Sequence, residues 1–412
     1  MRCVFMPLCD CICVVKSSDV AHSHSPLELL VLADDRTGAV ETAGICSDVG
    51  WGPVTVNVLG SGAGSGAGSG AGSSAGGRVV GQNVPSATRV AVVDIATRHR
   101  DPSSVAERVG AIDLQGARIV ALKIDSTLRG NWATELATVQ SITGRRIVLV
   151  PAFPAVGRIC RGGEVFEHGR PVGEGTGRTD PRGSLPSSRP ADYLRRAGVA
   201  DVSELADAHE LAVWLAHGSA GVAVCDAATD ADLEALANVW ALADNVVFAG
   251  TARSIGAAAS ALFTKGEGHR GEPVVLRPPL PLPAIVVCGS LHEMARRQIE
   301  RLKHSSLADS VTILSTPIPD SFPVSHDDAE RAAQELLAQF EETASARPGS
   351  TLVIIGGDTA AAILGDDAMK VGGTVAPGVP WMYRGTQLVI TRAGGFGNEL
   401  SLVGLFSTKM DP

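Results

Sequence analysis

Short β-branched runs alternate with longer amphipathic segments from residue 27 onward, and that alternation leaves few folds open. Candidate strands read "LELLVLA" (27 to 33), "VTVNV" (54 to 58), "RVAVVDI" (89 to 95), "RIVALKI" (118 to 124) and "RIVLV" (146 to 150). More follow at "GVAVCD" (221 to 226), "NVVFAG" (245 to 250), "AIVVCG" (284 to 289), "VTILS" (311 to 315), "TLVIIGG" (351 to 357) and "QLVIT" (387 to 391). Between them lie helical patterns such as "DDAERAAQELLAQFEETAS" (327 to 345), with apolar residues or Ala at helical spacing and charges outside. Such alternation predicts mainly parallel sheets covered by helices on both faces, so the fold class is α/β.

At 412 residues the chain is long for one core and fits two domains, each a mainly parallel sheet flanked by helices, with a cleft between them. The stretch "KGEGHRGEPVVLRPPLPLP" (265 to 283) turns from polar and Gly-rich to Pro-dense and cannot continue a helix or sheet. It is the expected linker between domains at 27 to 264 and 284 to 412. The tract "GSGAGSGAGSGAGSSAGG" (60 to 77) buries too little surface to offset its ordering entropy and is expected to be a flexible insertion. Residues 1 to 26 make a poor signal peptide, because Asp10 interrupts the short apolar stretch, and read as a disordered tail. Within them Cys9, Cys11 and Cys13 alternate, which fits an ordinary tail better than a metal clip.

Lys and Arg number 35 against 44 Asp and Glu, a formal net charge of −9. With no basic run, that balance argues against a nucleic-acid or polybasic membrane surface and for a small ligand. No stretch reaches the ~18 uncharged apolar residues of a membrane span, so a cytoplasmic location is the default expectation. Cys46, Cys160, Cys225 and Cys288 stand singly, without CxxC spacing, and read as reduced core thiols.

Open parallel sheets bind ligands at the carboxyl ends of their strands. Three strand ends in the first half carry polar clusters. "ADDRTGAVETAG" (33 to 44) brings Asp34 and Asp35 out of a strand, with Thr37 and Gly38 in the turn before a helix. "LKIDSTLRGN" (122 to 131) packs Lys123, Asp125, Ser126, Thr127, Arg129 and Asn131 into one loop ahead of a helix near Asn131. "PAFPAVGRICRGG" (151 to 163) reads as a rigid irregular loop carrying Arg158 and Arg161. Taken singly these are more often helix caps, turns and surface ion pairs. Together they offer cations for a carboxylate and carboxylates for hydroxyls, which suits a polyhydroxylated acid.

The second half carries glycine turns. "IIGGDTAAAIL" (354 to 364) places Gly356 and Gly357 after a strand, with Asp358 and Thr359 capping a helix, where backbone N–H groups and the helix dipole accept phosphate. "TRAGGFGNEL" (391 to 400) repeats the design with Gly394, Gly395 and Gly397 before a last helix, and "CGSLHEMARRQ" (288 to 298) does so more weakly with Gly289 and Ser290. None matches the P-loop or the GxGxxG fingerprint, which counts against a dehydrogenase.

The combination "LADDRTGAVETAG", "LKIDSTLRGNW", "PAFPAVGRICRGG", "TDP" (179 to 181), "IIGGDTAAAIL", "APGVPWM" (376 to 382) and "AGGFG" resembles the four-carbon acid sugar kinase family, in that family's order, over about residues 27 to 406. The resemblance implies phosphorylation of a tetronate such as erythronate, threonate or a 3-oxo form by ATP with Mg²⁺. It also implies an acid-binding first domain closing on a nucleotide-binding second domain. Carried over, the acid side comprises Asp34, Asp35, Thr37, Lys123, Asp125, Ser126, Arg129 and Arg158. The nucleotide side comprises Ser290, Gly356, Gly357, Asp358, Thr359, Gly394, Gly395 and Gly397. Partners are then the acid and ATP, with a homodimer left open.

Three positions depart from the family's usual pattern. Arg36 stands for an apolar residue, His292 for a Ser and Gly395 for an Asn, which bears on acid identity and nucleotide affinity. A sugar-acid-binding regulator without catalysis is the rival reading. Among the carboxylates, Asp34, Asp35 and Asp125 are all candidates to accept the hydroxyl proton. Asp35 is favoured because the first turn of a helix fixes it. Lys123 and Arg129 would hold either the acid's carboxylate or the migrating phosphoryl group.

Overall fold

The computed structural model describes residues 27–59, 89–174, 185–218, 220–265, 276, 279–318 and 326–407. The N-terminal segment with its three cysteines, the Gly/Ser/Ala tract, "TDP" and most of the expected linker lie outside the described residues.

The first half runs β1 (Leu27–Ala33), α1 (Arg36–Cys46), β2 (Val54–Val58), β3 (Val90–Asp94), α2 (Pro102–Gly110), β4 (Ala117–Lys123), α3 (Trp132–Thr143) and β5 (Arg146–Val150). A small antiparallel sheet follows, β6 (Arg158–Arg161), β7 (Glu164–Glu167) and β8 (Arg170–Pro171). Then come α4 (Pro190–Arg196), β9 (Val202–Leu205), α5 (Ala208–His217), β10 (Val222–Cys225), α6 (Asp230–Trp240), β11 (Val246–Gly250) and α7 (Ala252–Lys265). The second half runs β12 (Ala284–Cys288), α8 (Glu293–Lys303), β13 (Val311–Ser315), α9 (His326–Ala346), β14 (Thr351–Ile355), α10 (Gly357–Leu364), β15 (Met369–Ala376), β16 (Val379–Arg384) and β17 (Gln387–Arg392).

Each half builds a parallel block. In the first the order is β2-β3-β1-β4-β11-β5-β10-β9, and in the second β13-β12-β14-β17. The antiparallel strands β16 and β15 then extend the second block until β15 pairs with β2, Met369 opposite Val56. The two sheets therefore join edge to edge, which covers the backbone groups that two open edges would expose.

Central strands read as unbroken apolar runs because both faces are covered: Leu29, Leu30, Val31 and Leu32 of β1 are all buried. In the second half the faces separate by period two. Ile285, Val287, Leu352 and Ile354 join the core of the first half, whereas Val286, Cys288, Val353 and Ile355 pack with Ala295 and Ile299 of α8. Helix α1 is buried nearly all round because it lies between the halves, against α7 on one side and α10, β15 and β16 on the other. Gly44 lets it approach closely, since a Cβ there would stand 3.0 Å from the Gly373 carbonyl oxygen and the Pro380 side chain. Cys46, Cys160, Cys225 and Cys288 are buried free thiols, as expected.

Several elements differ from the sequence reading. Arg158 and Arg161 do not sit in an irregular loop but on β6, whose alternation buries Arg158 and exposes Arg161. Strands β6 to β8, β9 and β15 carry too many polar residues or glycines to show an apolar run, and Pro380 interrupts β16; their pairing partners hold them instead.

Candidate active site

The carboxyl ends of β1, β3 and β4, three adjacent parallel strands, bring together a buried ionic cluster. Asp34 leaves β1 fully buried, and Arg98 grips both its oxygens at 2.8 Å through Nε and Nη2. Asp35 is the N-cap of α1: its Oδ1 accepts from the Gly38 N–H at 2.9 Å and its Oδ2 from Arg98 Nη1 at 2.5 Å. Thr37 and Gly38 consequently lie within the first turn of α1, not in a loop ahead of it. Lys123, the last residue of β4, reaches between the two carboxylates, with Nζ 4.0 Å from Asp34 Oδ1 and 3.9 Å from Asp35 Oδ1. A Cβ at Gly38 would press on that ammonium group and on Asp35 Oδ1 and displace Lys123 from between the carboxylates.

Asp125 is held harder still. Arg129 donates to both its oxygens at 3.0 and 2.9 Å, and the Thr127 N–H and hydroxyl donate to Oδ2 at 3.0 and 2.5 Å. Burial disfavours its charge, yet Arg129 and Arg98 outweigh burial and hold the carboxyl well below its usual range. At Asp35 burial is likewise overcome by Arg98, Lys123 and the Gly38 N–H, so its carboxyl is lowered. At Asp34, with complete burial, the carboxyl is raised despite the same cations. Ser126 accepts from Arg158 Nη1 at 2.6 Å, and Glu167 on β7 accepts from Arg158 Nε and Nη2 at 3.0 and 2.7 Å.

Arg98 is a residue that the sequence reading missed, although "TRHR" begins three residues after β3 and carried the same signal as the other strand ends. The loop bearing it is fixed from below: Thr97 donates to Glu135 of α3 at 2.5 Å, and Asn131 donates to the Thr97 and Arg100 carbonyls at 2.7 and 2.9 Å. Burial and the charge of Asp34 push the Glu135 carboxyl up to about 8. Arg36 turns away from this cluster. It pairs with Asp94 at 2.9 Å and donates to the Gly365 carbonyl beyond α10, joining the two halves and not lining an acid site.

In the second half the carboxyl ends of β12, β14 and β17 converge. A side chain at Gly394 would collide with Ser290 Oγ, and one at Gly289 with Thr359 Oγ1. The Gly356 N–H donates to the Arg392 carbonyl at 3.0 Å, linking the second loop to the third. Gly395 lies against His292, where a Cβ would be 3.0 Å from Nε2. The two unusual residues thus meet: an asparagine at 395 would need the space that the imidazole fills. His292 itself caps α8, Nδ1 accepting from the Met294 N–H at 3.1 Å, and burial lowers its pKa.

Two details are corrected here. Gly356, not Asp358 or Thr359, is the N-cap of α10, which has no side-chain cap, so no side chain satisfies its first N–H groups. No α-helix follows Gly397 among the described residues; a 3-10 turn (Val403–Leu405) does, and the loop is held by buried Arg392 donating to the Phe396 carbonyl.

The acid-side and glycine loops face each other. A Cβ at Gly357 would lie 3.1 Å from Asp35 Oδ2 and 3.2 Å from Thr37 Oγ1. His99 Nε2 is 3.6 Å from Asp358 Oδ1 across the same gap. Phe153 stacks edge-on against Phe396 at 5.9 Å between centroids, and the Arg158 guanidinium stands 5.7 Å from the Phe396 ring. Among the described residues no cluster of three or more His, Cys, Asp or Glu could cage a metal ion.

Such an arrangement defines an α/β protein with an uncapped, glycine-led helix start opposed to a buried carboxylate and ammonium cluster. Family models match both halves: a sugar-binding N-terminal domain over residues 29–259 and a nucleotide-binding C-terminal domain over 321–402. A D-threonate kinase of Cupriavidus necator is 30% identical, over 90% of this chain and 96% of its own. A 3-oxo-tetronate kinase of Methylobacterium radiotolerans is 26% identical over 90% and 96%, and a D-erythronate kinase of Heliobacterium modesticaldum 25% identical over 76% and 69%. The fold is shared with solved proteins of Salmonella typhimurium LT2 (TM-score 0.65, 20% identity, covering 92% of this chain and 98% of that one) and Haemophilus influenzae (TM-score 0.62, 18% identity, 92% and 100%). The chain belongs to the four-carbon acid sugar kinase family and is a phosphotransferase. No helix among the described residues is long and apolar enough to cross a membrane.

Proposed function

We propose that the protein transfers the γ-phosphoryl group of ATP to a hydroxyl of a tetronate, with threonate, erythronate and 3-oxo-tetronate as the candidate acceptors. The relatives named D-threonate, 3-oxo-tetronate and D-erythronate kinase support that substrate class. Residues 27–264 would bind the acid and 284–412 the nucleotide. The observation that carries the reading is the close approach of Asp35 and Thr37 to Gly357, where a Cβ would stand 3.1 and 3.2 Å from them, because in-line transfer needs acceptor and phosphate loops face to face.

Asp35 is the proton acceptor in this scheme. Asp34 is wholly enclosed by Arg98, and Asp125 is spent on Arg129 and Thr127, whereas Asp35 stays ionised and borders the glycine loop. The substrate hydroxyl gives its proton to Asp35 as its oxygen bonds to the γ-phosphorus, and the bond to the bridging oxygen breaks to release ADP. Lys123, Arg129 and Arg158 supply positive charge for the acid's carboxylate and the migrating group. The uncapped N–H groups at the start of α10, with Ser290, Thr359 and the loop of Gly394, Gly395 and Gly397, would cradle the phosphates.

Magnesium fits only as a passenger of the nucleotide, since it keeps several waters and needs one or two protein carboxylates beside the phosphates. Asp358, in the first turn of α10, would hold it, and the ion would supply charge neutralisation. A coupled ADP-release assay over D-threonate, D-erythronate and 3-oxo-tetronates tests the proposal. Acid-dependent ADP release from one of them is expected; release indifferent to every acid would overturn it.

A further inference from the structure

Two buried polar atoms on one face of α1 have no hydrogen-bond partner among the described residues: Thr37 Oγ1 and Glu41 Oε1. They are four residues apart, so they stack on the same side of the helix. Buried polar groups are normally paired, and an unpaired carboxyl is among the costliest to leave so. Glu41 is 4% exposed, and the charges that act on it are those of the cluster: Lys123, Asp35, Arg158 and Asp125. Burial, resisted by Lys123, pushes its carboxyl up to about 7. On its far side a Cβ at Gly378, in the turn between β15 and β16, would stand 3.3 Å from Oε1 and collide with Phe396, the ring that also faces Phe153 and Arg158. Glu41 is therefore enclosed between the cationic cluster and the aromatic wall of the second half.

We infer that Glu41, with Thr37 beside it, accepts a hydrogen bond from a hydroxyl of the sugar acid that is not phosphorylated, and so selects among acids by configuration. The inference rests on the reading of this cleft as the acid site. The acid's carboxylate belongs with Lys123, Arg158 and Arg129, since a carboxyl such as Glu41 repels it. A hydroxyl donor is what the orphan Oε1 needs. An epimer that turns this hydroxyl away leaves the buried group unsatisfied, which is how a site made to bond a hydroxyl rejects its analogues.

The experiment compares wild type with Glu41→Leu and Glu41→Gln on four-carbon acids epimeric at each hydroxyl carbon, reading KM for acid, KM for ATP, kcat and thermal midpoint. For Glu41→Leu, KM for the preferred acid should rise about tenfold or more and the preference between epimers should shrink, with KM for ATP within about twofold. The thermal midpoint should hold or rise, because an unpaired buried carboxyl is removed. Glu41→Gln keeps the shape and serves should the leucine variant not fold; it too should narrow the epimer preference. Unchanged acid KM and unchanged epimer preference would overturn the inference. If the wild type phosphorylates no acid, the reaction assigned above fails separately, and calorimetry without ATP decides this point. Weaker acid binding by the variants then supports Glu41 as a ligand, while equal binding, or none by wild type, overturns it.

Discussion

Arg98 is the cation on which the acid-side cluster depends, and Arg98→Met removes its charge while keeping much of its aliphatic stem. Its guanidinium reaches three carboxylates: Asp34 at 2.8 Å, Asp35 at 2.5 Å and Asp125 at 3.5 Å. Lys123 then remains near Asp34 and Asp35, 4.0 and 3.9 Å away, and Arg129 on Asp125. Breaking one buried pair by deleting a partner costs about 3–5 kcal/mol, and because Lys123 and Arg129 persist the three contacts do not multiply that figure. The loss should also depend on pH in a definite sense. Asp35 and Asp125 are depressed in the fold, so their contribution is present above the ordinary carboxylate range and fades as pH falls through the folded values. The gap between wild type and variant should be full at pH 7, hold down to about pH 4, and narrow as pH falls further. Urea unfolding followed by the fluorescence of buried Trp132 and Trp240 measures it. A difference under about 1 kcal/mol at pH 7, or one that does not shrink as pH falls below about 4, would refute the electrostatic account.

Asp35→Asn should lower kcat about 10²- to 10⁴-fold in steady-state kinetics with nucleotide affinity nearly unchanged; a matching loss of nucleotide affinity would remove Asp35 from the proton-accepting role. Gly394→Ala should weaken nucleotide binding at least tenfold, since its methyl would displace Ser290, while acid binding measured calorimetrically stays the same. Glu135→Gln should stabilise the protein at pH 9 but not at pH 5. Its folded carboxyl is raised to about 8, so wild type is penalised as pH rises from its ordinary value through 8, and circular dichroism melts at the two pH values would show a difference only at the higher one.

Much of this was open to reading along the chain, for reasons that differ by element. Strand β12, and β1 from Leu29 to Ala33, are apolar throughout because both sheet faces are covered, and "LKIDSTLRGN" declares a polar site because so many functional groups follow one such strand. Strands β15 and β16 stayed hidden since "MKVGGTVA" and "VPWMYR" hold their pairing through partners distant in sequence, β2 among them. Arg98 was passed over because its weight comes from converging with Asp34, Asp35 and Asp125, 27 to 64 residues away. In Glu41 nothing in "GAVETAG" separates a solvated helix carboxyl from a buried one.

Local chemistry therefore suffices for the parallel α/β class, the polar strand ends and the glycine turns, because periodicity and residue type act over a few neighbours. Which carboxylate keeps a free face, which is locked by arginine and which waits unpaired follow from burial and from charges set within a few ångströms by folding. Those are properties of assembled neighbours, and the chain does not bring them together until β1, β3, β4 and the loops of β12, β14 and β17 meet across α1.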